Sequence, residues 1–368
     1  MRIPTFLCGL ALGLLTICDK GSASSAPSST TAPSTISAQN DGETFQKMRN
    51  QLIRGHGFLA ALDQSGGSTQ KALQKYRYPS DLYKENEPSM FDAVHDVRCR
   101  IMTSPVFGYF EEESMGILGA ILFEDTLHRT VNGQPTAHYL WNVKQVIPFL
   151  KIDQGLLPKA EGVQLMKPME GSMPSSSVAS SAAFMSLEER LQVAKEKGVF
   201  GTKMRSVIHE NDPKGIQDLV EQQFDYGKRI LKAGLVPILE PEVNIESPEK
   251  LQCELTLKKC LLEALDQLQT EDSSGDDGDL SSQVILKLSI PCRESFYQEC
   301  IDHPACLKVV ALSGGYSRAE ANQRLLQQPK MIASFSRALT EGLAHNASDE
   351  EFNKVLEASI ASIVQASV

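Results

Sequence analysis

The run VILKLSIP over 284–291 sets one lysine, Lys287, among Val284, Ile285, Leu286, Leu288 and Ile290. A lysine turned into an apolar core is costly unless it is paired, neutralised or used, whereas on an edge strand it simply faces water. Other groups could work with it. Lys203 and Arg205 in VFGTKMR are cations that, together with desolvation, would weaken the hold of Lys287 on its proton. A neutral amine attacks a carbonyl, and loss of water gives an iminium that draws electrons from the adjacent carbon. That chemistry suits aldol cleavage and condensation without a metal. Glu240 and Glu242 in LVPILEPE stand at i, i+2, so an extended strand aims both at one face. Two carboxylates in one site can divide acid from base work, and they can equally form a salt bridge to Lys203 or Lys287.

Anion-binding features accompany this set. LSGGYSR (312–318) closes an apolar run on Gly314 and Gly315, where bare backbone N–H groups could cradle a phosphate. A glycine pair alone is as often a plain turn. Arg337 at the end of the next run adds a charged fork. DQSGGS (63–68) repeats the pattern near the start of the body. Two such sites fit a substrate phosphorylated at both ends.

These residues need a scaffold that gathers them. From Gly57 onward, short apolar runs end in polar residues and are followed by amphipathic segments. The runs are 57–63, 119–124, 146–153, 199–205, 235–242, 284–288, 308–315 and 331–337. Helical spacing is plain in 186–198, where Ser186 and Glu189 form a capping-box pair before a stop at Gly198. It recurs in 215–234, where Gly234 ends the segment. Continuous apolar strands alternating with helices predict a parallel sheet covered by helices, and eight units predict an α/β fold of the (β/α)8 TIM-barrel type. The competing open doubly wound sheet lacks a G-x-G-x-x-G fingerprint here. In a barrel the strand C-termini build the site, and the run ends carry Asp63, Glu124, Lys151, Lys203, Arg205, Glu240, Glu242, Lys287, Ser313 and Arg337. Two long connections, 167–185 and the acidic 270–282, read as surface insertions, the latter on the barrel's N-terminal face.

Composition narrows the classes further. Hydrophobic content of 41% and charged content of 22% are those of an ordinary globular chain. A net charge of −10 argues against a general nucleic-acid binder. The eight cysteines show no C-x-x-C or zinc spacing, and seven dispersed histidines form no ligand cluster, so neither metal nor cofactor is expected.

The first residues are a separate object. Arg2, an apolar stretch at 6–17 and small residues at 21–24 have the layout of a secretory leader over 1–24. A Ser/Thr/Ala/Pro-rich tract then runs to about residue 42, free of charge from Gly21 to Asn40, and is expected to lack a core. Together they resemble the bipartite presequences of algae with complex plastids, although transit segments are usually rich in arginine. Plain secretion is the alternative. The folded body is expected over 43–368, with no membrane contact once the leader is removed.

The motifs GFLAALDQSGGSTQKAL, GAILFE, IPFLKIDQG, GVQLMKP, FGTKMRSVI, GLVPILEPEVNI, LKLSIP, VVALSGGYSR and MIASFSRAL span every run. In them the body resembles class I fructose-1,6-bisphosphate aldolase, most of all the short form of bacteria and some algae. The resemblance implies reversible, metal-independent cleavage of the bisphosphate to glycerone phosphate and glyceraldehyde 3-phosphate, a step of glycolysis, gluconeogenesis and the Calvin cycle. It implies Lys287 as the Schiff-base lysine, Glu240 as acid/base for the carbinolamine, Glu242 as its assistant and Lys203 as a dehydration aid. Asp63 would take the hydroxyl proton during carbon–carbon cleavage. Lys151, Arg205, Ser65 and Ser68 would face one phosphate; Ser313, Gly314, Gly315 and Arg337 would hold the other. The expected partner is a sugar phosphate, and a homo-oligomer is expected because family members are dimers or tetramers.

One departure stands out. The animal and plant form ends in a tyrosine that assists proton exchange, whereas this sequence ends IVQASV and its last tyrosine is Tyr316. Two rival functions are another lysine-dependent aldolase or transaldolase, with one phosphate site, and a scaffold protein on an aldolase frame.

Overall fold

The computed structural model describes residues 35–65, 67–170, 185–272 and 283–368. The chain divides into Met1–Glu43 and Thr44–Val368. Helix α1 (Thr35–Arg54) begins within the tract expected over 25–42. The leader, the rest of that tract and most of the two insertions lie outside the described residues.

In the larger unit eight strands follow one another in space as they do in sequence: β1 (His56–Leu62), β2 (Met115–Leu122), β3 (Ile147–Lys151), β4 (Gly201–Ile208), β5 (Val236–Val243), β6 (Val284–Ser289), β7 (Cys306–Leu312) and β8 (Ile332–Ala333). Each neighbouring pair is parallel. The Ala61 N–H donates to the Phe335 carbonyl at 3.0 Å, which brings the first strand back against the last. This is the expected (β/α)8 barrel. All eight predicted runs contain a strand. Two run ends differ from expectation: Glu124 opens helix α4 (Glu124–His128), and Arg337 opens α11 (Arg337–Thr340). In both, the chain turns into a helix directly after leaving the sheet.

The period-two pleat explains the core and the lysine within it. On β6, Leu286 and Leu288 face outward into the apolar layer shared with the helices. Ile285 faces the barrel interior with Leu59, Ile121, Phe149, Ile238, Val310 and Ile332, where Met48 and Leu52 of α1 also pack. Lys287 follows Ile285 by two residues and so points inward.

Between the strands lie α2 (Gly67–Lys75), α3 (Pro88–Thr103), α5 (Thr136–Lys144), α6 (Leu187–Glu196), α7 (Pro213–Lys232), α8 (Lys250–Asp272), α9 (Gln298–Ile301) and α10 (Arg318–Leu325), and α12 (Asp349–Ala366) follows α11. The predicted capping box at α6 is formed by Ser186 and Glu189. Gly234 takes φ 81° just past the end of α7. After α12 the chain is pinned at the base of β8: the Ser367 hydroxyl accepts the Ala333 N–H at 3.0 Å, and the Val368 carbonyl accepts the Lys330 N–H at 2.8 Å. Among the described residues no helix is long and apolar enough to cross a membrane.

Candidate active site

The C-terminal ends of the strands surround a cavity of about 1590 Å³, and every site residue predicted from the sequence lines it. At its floor four ionisable side chains form a ladder of alternating charge. Asp63 Oδ2 lies 2.6 Å from Lys203 Nζ, Lys203 Nζ lies 2.8 Å from Glu240 Oε2, and Glu240 Oε1 lies 3.1 Å from Lys287 Nζ. Both lysines are 3% exposed. Parallel register explains the convergence. Lys203 and Glu240 lie on inward-facing rows of neighbouring strands, followed on those rows by Arg205 and Glu242, and pairing of Leu286 with Leu239 sets Lys287 beside Glu240.

Burial disfavours the charges of Asp63, Lys203 and Glu240, yet their pairing overcomes it. Asp63 is held well below the usual carboxylate range because the fields of Lys203, Lys287 and Lys151 outweigh its desolvation. Glu240 is lowered for the same reason, chiefly by Lys203 and then Lys287. Lys203 is held far above the ordinary lysine range, since Asp63 and Glu240 outweigh the burial that works against it. Of the two cations expected to act on Lys287, Lys203 shares its carboxylate and Arg205 does not. Arg205 turns instead to Glu242, with Nε 2.5 Å from Oε2, and Lys203 meets Lys287 across the shared Glu240.

The two anion sites differ in kind. At the glycine pair, the Gly315 and Tyr316 amides close a turn on the Ser313 carbonyl at 2.7 and 3.0 Å, so the backbone cradle is not bare as expected. The turn needs Gly314 at φ 60° and Gly315 at φ 140°. A Cβ on Gly314 would stand 2.6 Å from Ile245, and one on Gly315 would stand 3.5 Å from the Arg337 guanidinium. Arg337 therefore lies against this turn, and among the described residues it makes no ion pair. The opposite cations are already engaged. Lys151 Nζ donates to Asp153 Oδ1 at 2.7 Å, and Arg205 is held by Glu242. The Ser68 hydroxyl is occupied within its own turn, donating to the Ser65 carbonyl at 2.7 Å while accepting the Ser65 N–H at 3.1 Å. This turn leads into the first residues of α2, whose dipole favours an anion.

Three further residues escaped the sequence reading. Asp153 holds Lys151 and accepts the Arg205 N–H at 3.2 Å. Ser334 lies buried in the cavity wall, its hydroxyl without a hydrogen-bond partner among the described residues. The inward row Ile332, Ser334, Ser336 was a readable signal for it. Arg98, from the middle of α3, also lines the cavity, and nothing in the local pattern of that helix marks it. No group of three or more His, Cys, Asp or Glu suited to a metal gathers among the described residues.

A parallel eight-stranded barrel whose strand ends set a buried lysine against an ionised carboxylate defines a lyase of the Schiff-base type. No protein-family model matches the sequence. Curated relatives do: class 1 fructose-bisphosphate aldolases of Synechocystis sp. (47% identity over 88% of this chain and 99% of the relative) and Porphyromonas gingivalis (47%, 89% and 99%). That of Clostridium acetobutylicum is 46% identical over 87% of this chain and 98% of its own. Among solved structures, the fructose-bisphosphate aldolase of Plasmodium falciparum, crystallised with TRAP and a small-molecule inhibitor, shares the fold. Its TM-score is 0.65 at 21% identity, covering 89% of this chain and 95% of that one. The chain belongs to the class 1 fructose-bisphosphate aldolase family.

Proposed function

We propose that this chain cleaves and forms fructose 1,6-bisphosphate through a Schiff base on Lys287. The observation that carries the reading is the buried ladder Asp63–Lys203–Glu240–Lys287 at the strand ends. The 3.1 Å contact lets a proton pass from the Lys287 ammonium to Glu240, which arms both partners. The amine attacks the C2 carbonyl, and protonated Glu240 returns the proton to the departing hydroxyl of the carbinolamine as water leaves. Lys203, fixed as a cation, steadies the negative charge that passes over Glu240 and Asp63. Ionised Asp63 takes the proton of the C4 hydroxyl. The C3–C4 bond then breaks, its electrons flow into the iminium to give an enamine, and glyceraldehyde 3-phosphate departs. Protonation at C3 and hydrolysis release glycerone phosphate, also called dihydroxyacetone phosphate. Glu242 assists from the same strand face. Ser313, Gly314, Gly315 and Arg337 hold the phosphate of the glycerone half; Ser65, Ser68, Lys151 and Arg205 face the other.

The test is turnover of the purified body with fructose 1,6-bisphosphate, fructose 1-phosphate and deoxyribose 5-phosphate. Preference for the bisphosphate, abolished in Lys287→Ala, is the expected result. Preference for deoxyribose 5-phosphate would move the chain to another lysine-dependent aldolase, and no turnover of any substrate would favour a scaffold.

The compartment rests on residues 1–42 alone. Their leader-then-hydroxylated layout supports delivery to a plastid through the secretory route, with secretion as the alternative. The curated relatives named above are bacterial and do not bear on it. A fluorescent reporter carrying these residues should leave the cytosol; retention there contradicts the reading. Assembly as a homo-oligomer rests on the family resemblance and is read by light scattering.

A further inference from the structure

We propose that Arg98 and Gln64 form a positioning brace across the seam of the barrel, setting Asp63 for bond cleavage and Arg337 for phosphate binding; this rests on Lys287 being the Schiff-base amine. Arg98 is 3% exposed, and among the described residues it makes no ion pair. Its guanidinium donates through Nη1 to Thr126 Oγ1 and through Nη2 to the Gln64 carbonyl, both at 2.7 Å, while Nε has no partner among the described residues. These hydrogen bonds thus go to neutral acceptors, and the more distant fields of Asp63 and Asp125 offset its burial only in part, so the contacts that retain it matter.

Those contacts join two segments of the rim. Thr126 is a fixed anchor, fully buried on α4, with its own carbonyl accepting the Thr136 hydroxyl at 2.7 Å. Gln64 is the held element. It directly follows Asp63, so the bond to its carbonyl holds the chain one residue beyond the Asp63 carboxylate that meets Lys203. The Gln64 side chain continues the brace, its amide donating to the Ser336 hydroxyl 272 residues away. Ser336 directly precedes Arg337. One glutamine thus ties the carboxylate that takes the hydroxyl proton to the guanidinium beside the glycine turn, at the place where the sheet closes. Neither Arg98 nor Gln64 is assigned to the substrate; both act through Asp63 and Arg337.

A second arginine on α3 supplies the contrast. Arg100 faces away from the cavity and bonds the segment leading into α12: the His345 carbonyl at 2.9 Å, the Ala347 carbonyl at 2.6 Å and Asp349 at 3.0 Å. Its removal should cost stability without touching the chemistry.

The experiment compares Arg98→Met, Arg98→Lys, Gln64→Leu and Arg100→Met in the full body. Readouts are the melting temperature, kcat and KM for fructose 1,6-bisphosphate, and the rate of borohydride trapping with saturating dihydroxyacetone phosphate. Trapping needs Lys287 and Glu240 but not bond cleavage by Asp63. Arg98→Met and Gln64→Leu should lower kcat about tenfold or more and raise KM, while trapping stays within about threefold of the original chain. Arg98→Lys should recover part of kcat, and Arg100→Met should melt earlier with kcat unchanged. Gln64→Leu strands no buried charge, so it carries the test if Arg98→Met fails to fold. Parallel loss of cleavage and trapping, or a lowered melting temperature with normal kcat, overturns the brace alone. Absence of trapping in the original chain overturns the Schiff-base reading, and the brace with it.

Discussion

Strands β4 and β6 each turn one lysine into the barrel, yet the two lysines stand in different surroundings. Lys203 lies between two carboxylates, Asp63 at 2.6 Å and Glu240 at 2.8 Å, and is locked as a cation. Lys287 touches one carboxylate, at 3.1 Å, and shares it with Lys203. Equal burial therefore gives unequal chemistry. A lysine in contact with two carboxylates is a fixed electrostatic element, whereas the proposed nucleophile contacts one and shares it. The contrast teaches that two equally buried lysines of one site can be held by different numbers of carboxylates.

Substitution can break this contrast most forcefully. Lys287→Met should lower cleavage by about four orders of magnitude or more, because the other amine of the ladder, Lys203, is held as a cation; a steady-state coupled assay reads this directly. Lys203→Met should slow cleavage by about 10²–10³-fold while leaving adduct formation at Lys287 measurable. The same change takes the contacting cation from buried Asp63 and leaves Glu240 with Lys287 alone, so chemical denaturation should show a loss of about 3–5 kcal/mol. If the two variants lost activity and trapping equally, the distinction between the lysines would not stand.

A smaller effect separates the two ends of the cavity. Arg337 has no carboxylate to give up, so Arg337→Ala should raise KM about tenfold to a hundredfold for both fructose 1,6-bisphosphate and fructose 1-phosphate, the value of a hydrogen bond to a charged group. Arg205 is already shared with Glu242, so Arg205→Ala should raise KM by roughly tenfold at most, and for the bisphosphate alone. Equal responses at the two ends would show that the ion pair is not a competitor for phosphate.

The smallest expected effect is in pH. Glu240 and Asp63 are depressed from the ordinary 4.5 and 3.8, so the stability they add is complete above about those values and is lost as pH falls through the lower folded values. Lys203 is raised from the ordinary 10.5, so its share is complete below that value and is lost only as pH rises beyond it. The melting temperature should thus stay level from about pH 5 to 10 with respect to this ladder. The Glu240→Gln chain should lie lower across that window and converge on the original at acid pH. A maximum confined to neutral pH in both chains would contradict the assigned directions.

Much of this was legible in the residues. The charges gathered at the run ends pointed to Lys287 as more than an edge lysine, and the structure turns it inward with Ile285. Spacing put Glu240 and Glu242 together, and Ser186 with Glu189 marked the start of α6. What escaped depends on distant pairing. Gln64 finds Ser336 across 272 residues, and Arg98 reaches Gln64 from the middle of a helix, where an arginine ordinarily faces water. Asp153 lay in plain view beside Lys151, but its task of holding Lys151 and the Arg205 amide follows only from the folded rim. Of the two cations expected to act on Lys287, Arg205 pairs with Glu242 for a related reason: sequence shows which charges share a rim, not which carboxylate each one chooses.

The most direct measurement is borohydride reduction of the chain in the presence of dihydroxyacetone phosphate, followed by digestion and mass mapping of the adduct. One modified residue, Lys287, is predicted, absent from Lys287→Met and retained in Lys203→Met. An adduct on Lys203 or elsewhere, or full turnover with no adduct at all, would contradict the account.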